Sequence, residues 1–329
     1  MLDDRKAAIL SAVVHEYIET GQAVGSGRVA GSPGVAVSSA TVRNEMAALE
    51  ELGFLAQRHT SAGRIPTDKG YRFFVDRLRS MEPSLVPSDR GRVRDFFEAA
   101  GGGLESTLAR TSDLLTSLTD CTAVVVGPNA TVATIRNTQL VDLSAHIAMV
   151  VAVMSNGVIE KRTVEVATEL TPEIVEDASL RLSAAVDGKT LGDLEGDLVG
   201  ADDPLLAAAL AALSAAGREA EVYVGGASRV ASAFEAVEQV RDILTILEQQ
   251  IVVVSLISDV LDRGMRVAIG EETGVGPLAE CSLVVAPYEV EGEPAGTIGV
   301  LGPTRMDYTQ ALAAVAVVSR RLGSVLSEG

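Results

Sequence analysis

Ser38-Ser39-Ala40-Thr41-Val42-Arg43-Asn44-Glu45-Met46-Ala47-Ala48-Leu49-Glu50-Glu51-Leu52-Gly53-Phe54 reads as one helix with an apolar stripe and a polar leading edge. Ser38 or Ser39 can cap its start with a side-chain oxygen, and Gly53 supplies the backbone freedom that ends it. Val42, Met46, Leu49 and Leu52 recur at helical spacing and bury one face, which turns Ala40, Arg43, Asn44 and Ala47 outward. A first turn of small side chains carrying one Arg and one Asn suits a DNA major groove. There Arg pairs with guanine and Asn with adenine, while small neighbours allow close approach. An ordinary surface helix would show the same periodicity, so the flanking residues decide between the two.

Upstream, Ile9, Val13, Val14, Tyr17 and Ile18 predict a first helix over residues 4–20, closed by Gly21. A short helix fits 26–31, and Ser32-Pro33-Gly34 makes a turn before the quoted helix. Helix, short helix, turn, helix is the helix-turn-helix order. Downstream, Phe54 to Arg58 predicts a strand, His59 to Gly63 a loop tip and Arg64-Ile65-Pro66 a return strand: a wing. Arg58, His59 and Arg64 cluster where a wing would meet the phosphate backbone or minor groove, although a solvated basic hairpin has the same composition. Thr67 or Asp68 then caps a further helix with Tyr71, Phe74, Val75 and Leu78 on its apolar face. Seven of the eleven aromatic residues precede residue 98, which gives a short domain large side chains to fill its core.

Charge divides the chain at the same place. Residues 1–80 hold ten of its 27 Lys and Arg and nine of its 45 Asp and Glu, net +1, which leaves net −19 for the remainder. Phosphates repel an acidic protein, so near-neutrality confined to one end fits an acidic body carrying a DNA-reading head. With few basic residues there, binding depends on base contacts and dimerisation more than on bulk attraction, and nonspecific binding is expected to be weak and salt-dependent.

Three motifs carry a family resemblance: Ser39-Ala40-Thr41-Val42-Arg43-Asn44-Glu45-Met46; Thr60-Ser61-Ala62-Gly63-Arg64-Ile65-Pro66-Thr67 followed by Lys69-Gly70-Tyr71-Arg72; and Gly299-Val300-Leu301-Gly302-Pro303-Thr304-Arg305-Met306-Asp307-Tyr308. In that order they make the chain resemble HrcA, the heat-inducible transcription repressors of bacteria. No comparable landmark falls in residues 170–260. The resemblance implies an α+β protein with an N-terminal winged helix-turn-helix domain and a GAF-like α/β domain carrying an inserted dimerisation segment. It also implies a homodimer on an inverted-repeat operator, the CIRCE element, upstream of chaperone operons, with activity set by the GroE chaperonin.

On this reading residues 1–80 are the winged-helix head, with Ser38, Ser39, Thr41, Arg43 and Asn44 on the reading helix and Arg58, His59 and Arg64 in the wing. Pro83, Pro87 and Gly101-Gly102-Gly103 mark 81–103 as a linker, around a short charged segment from Arg90 to Glu98 that can be helical, and the head is expected to move on it. Leucines from Leu104 to Leu118 predict a helix. Strands follow at Thr122 to Val126, Ile135 to Leu143, Ile147 to Met154 and Val158 to Val166. Residues 172–218 predict two Ala- and Leu-rich helices. The apolar run Leu205 to Ala216 is about twelve residues long, short of the roughly twenty that span a bilayer, so no membrane partner is expected. A strand at Glu221 to Val224, helix over Ala231 to Asp262, strands at Met265 to Ile269, Ser282 to Tyr288 and Thr297 to Leu301, and a helix from Tyr308 to Leu326 complete the chain. The GAF-like domain is then 104–168 with 262–329, and the inserted segment 169–261. Residues 302–308 read as a tight turn entering the last helix, with Arg305 and Asp307 available to hold it.

Cys121 and Cys281 lie far apart in apolar strand contexts and read as buried reduced thiols. The start, Met-Leu-Asp-Asp-Arg-Lys, has no apolar signal-peptide core, and a cytoplasmic protein is expected. Gly188-Lys189-Thr190 ends like a phosphate loop, but Ser183 stands where its first Gly belongs. His15, His59 and His146 lack partners at ligand spacing, and Glu271-Glu272 reads as a solvated acidic turn, so neither metal nor cofactor is expected. No nucleophile and base emerge, so the chain is not expected to be an enzyme. Two alternatives remain. A metabolite-sensing winged-helix transcription factor would need a concave polar pocket between sheet and helices, and an enzyme built on the body would need converging titratable groups there.

Overall fold

A computed structural model describes residues 2–57, 63–80, 84–99, 103–128, 133–155, 157–196, 203–216, 221–234 and 236–328. The N-terminal helix α1 (Asp4–Thr20) starts where Asp3 accepts the N–H of Lys6 at 2.8 Å and stops at Gly21, whose φ of 65° closes the last turn. Its Ile9, Leu10, Val13 and Val14 are fully buried. They pack against α2 (Ser26–Val29) and α3 (Ser39–Glu51). In α3, Val42, Met46 and Leu49 form the buried stripe. The helix is closed by Gly53 at φ 77°, with Phe54 N–H donating to Leu49 O at 2.9 Å.

The chain then makes a minimal antiparallel ladder, β1 (Leu55–Ala56) with β2 (Ile65–Pro66), in register Leu55↔Pro66. Thr67 caps α4 (Asp68–Arg79), accepting the N–H of Gly70 at 3.2 Å, and α4 buries Tyr71, Phe74 and Val75.

Two further helices, α5 (Pro87–Glu98) and α6 (Leu104–Thr119), lead into the main sheet. Its strands are β3 (Thr122–Val126), β7 (Val222–Gly225), β8 (Val267–Ile269), β9 (Cys281–Val290) and β10 (Glu293–Pro303), ordered β7-β3-β10-β9-β8 with every neighbour antiparallel. Both faces are covered. Ala123, Val125, Val284 and Val300 point to one core, shared with α6 and the closing helix α12 (Tyr308–Glu328). Val124, Val126, Leu283, Val285 and Leu301 point to the other, under α9 (Ser228–Ala233), α10 (Val237–Glu248) and α11 (Gln250–Asp262). Burial on two sides explains why β3 is an unbroken apolar run rather than an alternating one. Gly323 is where α12 meets the sheet most closely: a Cβ there would sit 2.3 Å from Glu289 O, so only Gly fits.

Between β3 and β7 the chain builds a second unit with its own core. Strands β4 (Ile135–Ser144), β5 (Ile147–Met154) and β6 (Ile159–Glu165) pair only with one another, antiparallel in the order β4-β5-β6. One face of this sheet is sealed by α7 (Pro172–Val186), a 3-10 turn (Leu191–Gly196) and α8 (Pro204–Ser214), with Val150, Ala152, Leu182 and Leu210 at the centre.

Two expectations are corrected here. The second unit runs from Ala133 to Ala216, not over 169–261. β4–β6 do not join the main sheet, whereas β7 and α9–α11, read as insertion, belong to it. Periodicity finds strands but is silent about which strands pair. Residues 81–103 are also not a plain linker. Within them Leu85, Val93 and Phe97 are buried in a core that continues unbroken from α1 to α12. Asp89 accepts from Gln310 Nε2 at 2.8 Å, and Arg92 reaches Ser117 Oγ at 2.8 Å. Pro87 opens α5, and Gly103 stands at the N-cap of α6.

Candidate nucleic-acid interface

The leading edge of α3 is built by its cap. Ser38 is exposed, and its Oγ accepts the N–H of Thr41 at 3.2 Å and lies 3.0 Å from Thr41 Oγ1. Ser39, half-buried, has its Oγ 3.1 Å from Ser26 Oγ, which ties the start of α3 to α2. One and two residues beyond Val42 on the helix, Arg43 and Asn44 are exposed, and neither has a hydrogen-bond or ion-pair partner among the described residues. A guanidinium and a carboxamide therefore project from the first turns of a rigid helix with Ala40 beside them.

Several other cations of the head are neutralised in place. Arg5 and Lys6 face Glu45 at 3.7 and 3.2 Å, and Arg28 holds Glu16 at 2.6 Å. Arg64 is the expected wing residue that the structure treats differently. Its side chain is half-buried, its Nε donates to Glu50 Oε2 of α3 at 2.8 Å, and its backbone pairs with Val24 in both directions. Gly63 permits that pairing, since a Cβ there would lie 2.3 Å from Val24 O. Arg64 thus braces the ladder against α3. Arg58 and His59 lie outside the described residues.

Several residues with structural roles at this site had only weak sequence signals. Lys69 Nζ donates to Leu52 O at 2.8 Å and sits 4.5 Å from the centre of the Phe54 ring, riveting α4 to the end of α3. Gly70 lets α4 pass against Phe54 O, 2.3 Å from where its Cβ would be. Arg72 joins head to body. Its Nη2 donates to Val267 O at 2.7 Å, its Nε to Glu272 Oε1 at 3.0 Å, and Nη2 also contacts Glu272 Oε2. Glu272 Oε2 in turn accepts the Ile269 N–H at 2.9 Å, so half of the acidic pair expected to be solvated is spent on this clamp. Beside it, burial lifts the Asp68 carboxyl above the usual carboxylate value, opposed by the N–H of Glu271 and reinforced by the charges of Glu271 and Glu272. Tyr71 packs on Tyr308 with ring centres 5.8 Å apart, and Tyr308 OH reaches Thr304 O and Ser282 Oγ, each at 2.7 Å. Of the turn residues 302–308, Asp307 caps α12 by accepting the Gln310 N–H at 3.0 Å, and Arg305 lies by Gly21.

In the body, the space between the sheet and α9–α10 is a cavity of about 10 Å³ beside Cys121, Cys281 and Ile243, room for no more than one water. Burial pushes the Cys121 and Cys281 thiols up to about 11 and about 12. Among the described residues no group of three or more His, Cys, Asp or Glu is placed to hold a metal ion, and no single helix is long and apolar enough to cross a membrane.

Comparison with known proteins gives a consistent class. A protein of Pelotomaculum thermopropionicum described as heat-inducible transcription repressor HrcA is 38% identical over 338 residues, covering 99% of this chain and 97% of the relative. One from Thermobifida fusca with the same description is 36% identical over 339 residues, at 99% and 98% coverage. A solved structure described only as a hypothetical protein superposes with a TM-score of 0.67 at 25% identity, covering 100% of this chain and 99% of that one. The class is that of transcription repressors, not enzymes. The description "HrcA protein C terminal domain" matches residues 105–312, and the chain belongs to the HrcA family of heat-inducible transcription repressors.

Proposed function

We propose that residues 4–79 are a winged-helix head that reads an inverted-repeat operator of the CIRCE type upstream of chaperone genes, and that the five-stranded body is GAF-like. The observation that carries this reading is the bare Arg43 and Asn44 pair on the capped edge of α3. Arg43 recognises a guanine and Asn44 an adenine, Ser38, Ser39 and Thr41 serve the adjoining backbone, and Arg58 and His59 complete the wing. Arg64 contributes by holding the ladder against α3.

The protein acts as a homodimer, each head taking one half-site. The outer face of β4–β6 supports this. Met149, Val151 and Val153 of β5 are half-exposed there, with Val141 at 39% and Ile159 at 54% exposure on the neighbouring strands. A second copy laid sheet on sheet would cover this apolar face. GroE chaperonin sets how much active repressor is present in the cytoplasm, an arm of the reading that rests on family membership. The cavity beside Cys121 and Cys281 is too small for a metabolite, which favours the repressor reading over sensing there.

The test is a gel-shift titration on an inverted-repeat chaperone promoter at two salt concentrations, with and without chaperonin. Saturable, salt-dependent binding that chaperonin increases is expected. Equal affinity for operator and scrambled duplex would overturn operator recognition.

A further inference from the structure

The body carries net negative charge, yet four arginines converge on one groove. On α5, Arg90 and Arg94 stand one turn apart, and on α12 Arg320 and Arg321 face them across a concavity of about 390 Å³, with Ser324 one turn beyond Arg320. Its floor is Val93, buried, and Val317, half-buried. The groove lies outside the sheet, away from the filled space beside the two cysteines.

The arginines are not there to satisfy local carboxylates. Arg320 and Arg321 are exposed and have no side-chain partner among the described residues. Arg90 spends its Nε on the Leu85 carbonyl at 2.8 Å, which fixes the guanidinium and leaves its other N–H groups free. Only Arg94 shares its charge, with Asp95 at 2.8 Å and Glu98 at 3.8 Å. No carboxylate lines the groove. Arg92, on the same helix, turns away to Asp89 and Ser117, so convergence is a property of these four alone.

We propose that this groove binds a small anion bearing two or more linked phosphate groups. Guanidinium forks match phosphate oxygens in pairs, and four of them around one small space call for several negative charges within a few ångströms. Linked phosphates supply that density. The hollow is lined by only seven residues, and so small a footprint favours a small ligand over DNA. Because α5 packs against α6 and α12, an anion seated there clamps α5 to the body and raises the stability of the whole chain.

Thermal unfolding and calorimetric titration of the full chain with inorganic tripolyphosphate, near physiological salt, test this directly. The wild-type midpoint should rise, with saturation below ~1 mM. The double variant Arg320→Ala/Arg321→Ala should bind at least about tenfold more weakly, whereas Arg241→Ala/Arg266→Ala, exposed arginines elsewhere that remove the same charge, should not. Arg94→Gln serves if the double variant does not fold. Three results would overturn the proposal: no saturable binding, equal weakening by both double variants, or loss of operator affinity in Arg320→Ala/Arg321→Ala with tripolyphosphate binding intact.

Discussion

At the residue scale the decisive contrast is between two arginines of the head. Arg43 is free and Arg64 is spoken for, and their substitution should separate base reading from support. Arg43→Ala should cost about 1–3 kcal/mol on operator DNA and relax preference at one base, with little change on scrambled duplex. Arg64→Ala should weaken both duplexes alike, because it loosens the ladder on α3 and removes a shielded ion pair. Side-by-side gel shifts check the difference, and equal losses for Arg43→Ala would remove it from base readout. Asp68 gives a pH test. Its carboxyl titrates above the ordinary value in the folded state, so its contribution to stability falls as pH rises from the ordinary value through the raised one. Asp68→Asn removes that penalty. Its melting midpoint should exceed wild type at pH 7, and the gap should shrink by about pH 4.

The elements show what a sequence can and cannot disclose. Capping serine, apolar stripe and terminal glycine placed α3 almost to the residue, because each is a local signal acting over one turn. The two-stranded ladder was legible for the same reason, and the strands of the second unit were found as strands. Their allegiance was not. β3 and β10 are sheet neighbours although more than half the chain separates them, and β4–β6 turn away from both, a choice settled by which faces remain apolar after folding. Similarly, type and place put Arg64 in the wing, but its tie to Glu50, fourteen residues away on another element, was not legible in the sequence. The half-exposed face of β5 makes its own prediction. Val151→Lys leaves the buried Val150 and Ala152 side untouched and should break the proposed dimer into monomers by light scattering. Operator affinity should fall with it, since separate heads no longer share an effective concentration.

For the whole molecule, the feature that sequence reading missed is continuity. Pro and Gly around residues 81–103 suggested a mobile head, but Leu85, Val93 and Phe97 carry one core from α1 to α12, and Arg72 bonds α4 to Val267 and Glu272. The head should therefore melt with the body. Arg72→Ala, which strips Glu272 of a half-buried partner, should lower stability by about 1–3 kcal/mol and split one calorimetric transition into two. A single transition at a lower midpoint would show that the apolar seam suffices alone. Such welding gives the fold a plain route to thermal response: heat that loosens the sheet also dislodges the helix proposed to read bases.

Gly127 donates its N–H to Glu221 O at 2.8 Å, and Val126 faces Val222 in register, so the chain leaves the main sheet and returns to it through one doorway. The stretch between is a detachable cassette. Splicing Gly127 to Glu221 through a short Asn-Gly turn should leave a shorter protein whose sheet closes as before and whose α3 is intact. That truncate should bind operator DNA more weakly than the full chain, and the difference would count what the proposed second arm contributes.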